Sequence, residues 1–117
     1  MPNSSVTISP RSIAPKVTML DISGELTGAS EDALMAAYSV ANQNGARTIG
    51  LNFNDLEYMN SSGIGLLVTL LIRVQRNMQS LIVIGLNDHY QQIFELTRLN
   101  EALLSYPSEA AALAASR

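Results

Sequence analysis

Hydroxyl and glycine residues crowd the entrance of an apolar segment near the middle of the chain. Residues 59–65 read MNSSGIG, and they lead into an apolar run that has the periodicity of a helix. Serine is favoured at helix N-caps, whereas glycine inside a helix costs about 1 kcal/mol relative to alanine. Two serines and two glycines together therefore indicate a helix entrance whose backbone must be closely approached.

The start of such a helix can serve three kinds of chemistry. Its first N–H groups lack intrahelical acceptors, so Asn60, Ser61 or Ser62 can cap them, while Gly63 and Gly65 leave this end without side-chain cover. The open amides can bind an anion. A phosphate on Ser61 or Ser62 would be stabilised by the helix dipole, which makes phosphorylation the second role. Plain capping is the third role, and it does not require the glycines.

The other polar residues form no pattern typical of an enzyme. The chain has no cysteine and one histidine, His89, so thiol chemistry and multi-histidine metal sites are excluded. His89 adjoins Asp88 at a predicted helix start, where adjacent side chains point in different directions, so no catalytic triad is expected. Asp21, Asp55 and Glu57 have no spacing that requires acid–base catalysis. We therefore expect a protein that is not an enzyme and uses no metal or cofactor.

Length and charge narrow the class of protein further. With 117 residues, the chain is expected to form a single domain over residues 1–117. Its net charge of −3 and pI of about 4.9 argue against a nucleic-acid partner. The longest apolar run, residues 64–72, is far shorter than the ~20 residues that span a bilayer, so no membrane insertion is expected. Residues 1–12 have no signal-peptide pattern, which predicts a cytoplasmic protein.

Hydrophobic periodicity predicts an alternation of strands and helices. Residues 5–9 and 16–24 alternate like strands, and the two prolines in residues 9–15 predict a turn that joins them as a hairpin. The remaining segments are predicted, in chain order, as helix 30–45 with Ser30 as N-cap, strand 47–53, loop 54–60, helix 62–77, strand 80–86, helix 87–100, strand 101–106 and helix 107–117. The order β-β-α-β-α-β-α-β-α predicts an α/β fold with a parallel or mixed sheet.

The segment around the helix entrance resembles the signature of a known family. Residues 51–68, LNFNDLEYMNSSGIGLLV, are similar to the central motif of the STAS domain of bacterial anti-sigma-factor antagonists. Residues 20–26, LDISGEL, resemble the second strand and G-E-L turn of that family, and residues 81–103 resemble its later strand and helix. The resemblance implies a STAS-type fold, with a mixed, mostly parallel sheet of about five strands and about four helices.

The resemblance also implies a regulatory function. In that family an anti-sigma kinase phosphorylates a serine at this helix entrance, and the phosphate blocks binding to the anti-sigma factor. The modified serine corresponds to Ser61, so the expected partner is an anti-sigma factor or serine kinase of the same pathway. The residues expected to support the site or contact the partner are Asn60, Ser62, Gly63, Gly65, Thr27 and Tyr58. Among them, Gly63 is expected to let the partner approach, and Tyr58 is expected in the core or at the partner surface.

Two positions depart from the pattern of that family. Asn60 stands where the family usually has the aspartate of D-S-S-G, and Thr27 follows G-E-L where aspartate is also common. Both changes remove negative charge near Ser61. They either make a phosphate easier to accommodate or remove a kinase contact, and the sequence leaves both open. The alternative function is therefore a STAS interaction or scaffold module that is not phosphorylated, in another signalling complex.

Overall fold

Five strands form a single mixed sheet in the computed structural model, which describes residues 6–115. In chain order they are β1 (Val6–Ala14), β2 (Val17–Leu26), β3 (Thr48–Met59), β4 (Ser80–Ile84) and β5 (Leu104–Tyr106). Their order across the sheet is the same as their order in the chain. β1 and β2 are antiparallel, and every later pair of neighbours is parallel.

Four α-helices connect or follow these strands. They are α1 (Glu31–Gln43), α2 (Ser61–Arg76), α3 (Asp88–Leu96) and α4 (Glu109–Ala115), with 3-10 turns at Gly28–Ser30 and Leu99–Glu101. The element order and the mixed sheet confirm the predicted fold class. Among the helices of residues 6–115, none combines the length and apolar character needed to cross a membrane.

The first strand is longer than predicted, because it continues through a proline. Residues 9–15 were expected to form a turn, but β1 extends to Ala14 and the chain reverses at Pro15 and Lys16. β1 lies at the edge of the sheet, where the missing N–H of Pro10 can face the unpaired side without removing a ladder hydrogen bond. The predicted turn at residues 9–14 is therefore wrong. The expected strand start at residue 5 lies outside the described residues, as do residues 116–117 of the last predicted helix.

The third strand also extends beyond its predicted end. Residues 54–60 were expected to form a loop, but β3 continues beside β2 as far as Met59, which pairs with Leu26. The pairing register shifts twice along this stretch, so the two strands pair over unequal numbers of residues. Their shared end brings the residues that follow β2 next to the entrance of α2.

The two faces of the sheet are covered unequally. α1, α2 and α3 contribute buried side chains to the main core on one face, where they meet residues of the central strands such as Leu20, Leu51 and Val83. α4 covers part of the opposite face, where Ala112 packs in a smaller cluster that includes Met19. The entrance of α2 belongs to the larger layer.

A polar cluster ties α4 to the sheet on this second face. The guanidinium of Arg11 donates to both carboxylate oxygens of Asp21, at 2.7 and 2.9 Å, and to Glu109 of α4 at 2.9 Å. Asn52 of β3 also donates to Asp21, at 2.9 Å. The hydrogen bonds from Arg11 and then Asn52 hold the pKa of Asp21 below its ordinary value, against the opposing effect of partial burial.

Candidate functional site

Asn60 is the N-cap of α2 and fixes the entrance of the helix. Its side-chain oxygen accepts a hydrogen bond from the N–H of Gly63 at 2.8 Å, and its carbonyl accepts from the N–H of Ile64 at 3.0 Å. Its own N–H donates to the carbonyl of Leu26 at 3.3 Å, which joins the helix entrance to the end of β2. Asparagine and aspartate cap equally well, so Asn60 provides the cap without a negative charge.

Ser61 is the first residue of α2, and its side chain is exposed. Within residues 6–115, neither its hydroxyl nor its N–H has a hydrogen-bond partner, and the same holds for Ser62. The first turn of α2 contains no acidic residue. The entrance therefore combines a free, accessible hydroxyl with two unpaired N–H groups at the positive end of a helix dipole.

Gly63 fulfils a packing requirement inside the domain. It is buried, and a Cβ at this position would clash with the carbonyl oxygen of Leu26 and lie 2.8 Å from its carbon. The first turn of α2 can thus lie against the end of β2 only because residue 63 has no side chain. This corrects the expectation that Gly63 lets a partner approach, because its space is already filled by the chain itself.

Gly65 faces open space on the next turn of α2. No atom lies within 4 Å of the position that a Cβ would occupy, and the residue is exposed. Ser61 lies four residues earlier and hence on the same side of the helix. These two residues leave one side of the helix entrance without cover, and partner contact at Gly65 stays a prediction.

Thr27 holds the 3-10 turn that follows β2. Its hydroxyl accepts from the N–H of Ala29 at 3.2 Å, while the hydroxyl of Ser30 accepts from the N–H of Thr27 at 3.0 Å. Ser30 is buried, and it also lies within hydrogen-bonding distance of the carbonyl of Glu25, at 3.3 Å. The hydroxyl of Ser30 thus stabilises this turn and makes no cap bond to α1, contrary to its predicted role.

The same turn flanks the entrance of α2. A Cβ on Gly28 would lie 3.2 Å from the Cβ of Ser62, so the backbone of the turn lies directly beside that serine. Ser62 is therefore flanked on one side. Thr27, by holding the turn, positions this neighbouring surface and makes no hydrogen bond to Ser61 or Ser62.

Tyr58 lies on the surface two residues before the N-cap. It pairs with Glu25 in the sheet, and 48% of its surface is exposed. Of the two expectations for Tyr58, burial in the core is therefore wrong. Contact between Tyr58 and a partner stays a prediction.

Tyr90 is a positioning residue that the sequence did not single out for the site. Its hydroxyl accepts from the N–H of Met59 at 2.8 Å and lies 3.4 Å from the carbonyl oxygen of the same residue. Only 6% of Tyr90 is exposed. Its place on the apolar side of α3 predicted burial, and a buried tyrosine needs a partner for its hydroxyl, but no sequence pattern indicated that the partner is Met59.

Known sequences share the pattern of this chain. A family model described as "Mlab, STAS domain" matches residues 10–105. The chain is also similar to the anti-sigma-B factor antagonist of Staphylococcus aureus, with 30% identity over 82 residues, which cover 70% of this chain and 76% of that protein.

Solved structures share its fold. An anti-sigma factor antagonist from Mycobacterium paratuberculosis superposes with a TM-score of 0.78 and 20% identity, covering 95% of this chain and 93% of the other. The phosphorylated form of SpoIIAA, a Bacillus cell fate determinant, gives a TM-score of 0.74 and 21% identity over 95% of this chain and all of the other. The match of the family model over most of the sequence and the curated relative agree: the chain belongs to the STAS domain family.

Proposed function

We propose that this chain acts in the cytoplasm as an anti-sigma-factor antagonist, without enzymatic activity of its own, and that phosphorylation of Ser61 switches it off. Its partner is an anti-sigma factor that is a serine kinase. The names of the curated relatives support this class of function. The observation that carries the switch is the free, exposed hydroxyl of Ser61 at the start of a 16-residue helix.

The local electrostatics favour a phosphate at this position. Phosphorylation adds about −1.5 to −2 charge at neutral pH. The unpaired N–H groups of Ser61 and Ser62 lie nearby, and neither Asn60 nor the first turn of α2 carries a repelling charge. Because the hydroxyl of Ser61 makes no hydrogen bond within residues 6–115, its modification costs the fold no internal contact.

The same phosphate explains how binding would be blocked. A partner that covers the entrance of α2 must remove water from Ser61, and an uncompensated charge buried in an interface costs several kcal/mol. Each 1.4 kcal/mol lowers the affinity about tenfold. A single phosphate can thus release the partner while the domain stays folded.

Phosphate transfer from candidate anti-sigma kinases of the same host tests the acceptor residue. The wild type and Ser62→Ala should gain the mass of one phosphate in the presence of ATP, whereas Ser61→Ala should gain none. Ser62→Ala is the matched control, since it removes another exposed hydroxyl from the same turn. Equal phosphate uptake by Ser61→Ala and the wild type would exclude Ser61 as the acceptor.

A constitutive interaction module is the second candidate function. It is favoured by the absence of charge at Asn60 and Thr27, where the family pattern commonly has aspartate. The two functions differ in how substitution of Ser61 affects binding of the partner. Under the switch, Ser61→Asp loses the partner in a pull-down while Ser61→Ala keeps it, whereas a constitutive module binds equally well in both forms.

A further inference from the structure

A cleft of about 500 Å³ lies at the other end of α2 from Ser61. It separates the C-terminal ends of α1 and α2, about 20 Å along the helix axis from the proposed switch. The polar side chains that line it belong to Tyr38, Ser39, Asn42, Arg73, Arg76 and Asn77. The proposed function makes no use of this cleft.

Behind the cleft lies a hydrogen-bond network in which the backbone carbonyl of Ala46 determines which groups donate and which accept. The side chain of Gln79 donates from Nε2 to the carbonyl of Ala46 at 2.8 Å, and a carbonyl can only accept. The other end of the Gln79 amide, Oε1, must therefore face the hydroxyl of Tyr38, which lies 2.7 Å away. Tyr38 consequently donates its proton to Gln79.

With this direction, the side-chain oxygens of Tyr38 and Asn42 on the α1 side of the cleft both accept hydrogen bonds from within the network. Since Tyr38 donates to Gln79, its oxygen accepts from Nδ2 of Asn77 at 2.7 Å. The side-chain oxygen of Asn42 accepts from Nε2 of Gln79 at 2.7 Å. The NH₂ group of Asn42, by contrast, has no acceptor within residues 6–115. The polar group of Asn42 that remains free to face the cleft is therefore a donor.

Two arginines increase this excess of donors on the α2 side. Arg73 and Arg76 lie in the last turn of α2, and neither has a carboxylate within 4.0 Å in the described part of the chain. Arg11, in contrast, is paired with two carboxylates. Compensation of the helix dipole accounts for positive charge in a last turn. It does not account for a concave surface whose opposite wall also offers the free NH₂ group of Asn42.

We propose that this cleft binds a small phosphate-bearing molecule, whose phosphate oxygens accept hydrogen bonds from Arg73, Arg76 and the NH₂ group of Asn42. Guanidinium groups match the oxygens of a phosphate in bidentate fashion, and an oxyanion supplies acceptors without needing any in return. The volume of the cleft lies within the range of small-molecule sites, about 300–1,000 Å³, and leaves room for a group larger than phosphate.

NMR titration of the isotope-labelled full chain tests the proposal, with inorganic phosphate and AMP as probes at constant ionic strength. Saturable shifts are expected at the side-chain amides of Asn42 and Asn77. Stronger binding of AMP would identify a nucleotide-like ligand, whereas equal binding would identify the phosphate group alone. Arg73→Gln/Arg76→Gln should weaken binding at least about tenfold, because both charged partners of the phosphate are lost.

The matched control is Lys16→Gln/Arg98→Gln, which removes two positive charges from exposed positions that do not line the cleft. It should bind the probes like the wild type. Asn42→Asp provides a second test with a side chain of the same shape. It keeps the oxygen that accepts from Gln79 and replaces the free NH₂ group by an oxygen that repels phosphate. It should abolish binding even where the double arginine variant is poorly folded.

Three results would overturn the proposal. The first is the absence of saturable shifts with either probe at tens of millimolar. The second is equal weakening in the control and cleft variants, which would indicate a general effect of charge. The third is saturable binding of an acidic peptide without binding of phosphate or AMP. Ser61→Ala should leave the titration unchanged, so this site and the proposed switch can fail separately.

Discussion

The N–H of Met59 donates to the buried hydroxyl of Tyr90 at 2.8 Å, and this contact ties the last residue of β3 to the first turn of α3. Met59 directly precedes Asn60, the N-cap of α2, whose own N–H is bonded to Leu26 at the end of β2. The backbone that presents Ser61 is thus held from two sides by residues remote in the sequence. The geometry of the entrance therefore depends on α3 and β2 as well as on the serine-glycine segment.

Replacement of Tyr90 by phenylalanine should destabilise the fold by about 1–3 kcal/mol, because the N–H of buried Met59 would lose its acceptor. Urea denaturation at neutral pH measures the change in the free energy of unfolding. Tyr58→Phe is the control, since its hydroxyl is at an exposed position without a partner in residues 6–115, and it should change stability by less than about 0.5 kcal/mol. Equal stability of Tyr90→Phe and the wild type would contradict this role for the hydroxyl.

The two glycines of the entrance should respond to alanine in opposite directions. Gly63→Ala forces a Cβ against the carbonyl of Leu26 and should cost about 1–3 kcal/mol, whereas Gly65→Ala enters open space and should stabilise the helix by about 0.5–1 kcal/mol. Thermal and urea denaturation of the two variants provide the measurement. Both variants add the same methyl group to the same helix, so a Gly63→Ala variant as stable as Gly65→Ala would refute the packing role of Gly63.

Substitutions of Asn60 should separate the capping role of its side-chain oxygen from the effect of a negative charge at this position. Asn60→Ala removes the acceptor of the Gly63 N–H and should cost about 0.5–2 kcal/mol of stability. Asn60→Asp keeps an oxygen in the same place and should remain within about 0.5 kcal/mol of the wild type. Urea denaturation of both variants checks this, and a comparable loss in the aspartate variant would show that the amide group itself is needed.

Ser61→Asp should leave the domain folded and slightly more stable. A negative side chain at the first position of a helix interacts favourably with the dipole, which is worth about 0.3–1 kcal/mol at low ionic strength. The melting temperature at low and high salt measures this effect, which salt should reduce. A marked destabilisation would mean that loss of partner binding by this variant cannot be attributed to charge at the interface.

The pairing of Asp21 with Arg11 should make part of the stability depend on acid pH. The pKa of Asp21 is lower in the folded chain than in the unfolded chain, so protons bind the unfolded chain more readily. The stabilisation is therefore complete above about pH 4, the ordinary pKa of aspartate, and is lost as the pH falls toward the lower pKa of the folded state. Because both side chains are one-third or more exposed, it should amount to at most about 1 kcal/mol.

Urea denaturation of the wild type and Asp21→Asn across this pH range measures that contribution. The two free energies of unfolding should differ most near pH 7 and converge below about pH 4, where protonated Asp21 resembles asparagine. A difference that stays constant from pH 7 to the acid range would show that ionisation of Asp21 does not stabilise the fold.

Local patterns in the sequence were sufficient for the fold class and for the position of Ser61. Apolar residues at helical spacing placed α2 within one residue of its observed bounds, and N-S-S-G chemistry placed its start at the serines. These signals depend on neighbouring residues, whose preferences act before any tertiary contact forms. Pro10 and residues 54–59 show the limit, because the edge position of β1 and the pairing with β2 override local turn signals there.

The sequence by itself thus determined the order of the elements and an exposed serine at a helix start. Only the tertiary structure decided what surrounds that serine: the carbonyl of Leu26 against Gly63, the hydroxyl of Tyr90 on Met59, and the turn at Gly28 beside Ser62. It also decided that the donors of α1 and α2 face one cleft. The physical reason is that each of these contacts joins residues far apart in the chain, and strand register and helix packing, which no local pattern contains, bring them together.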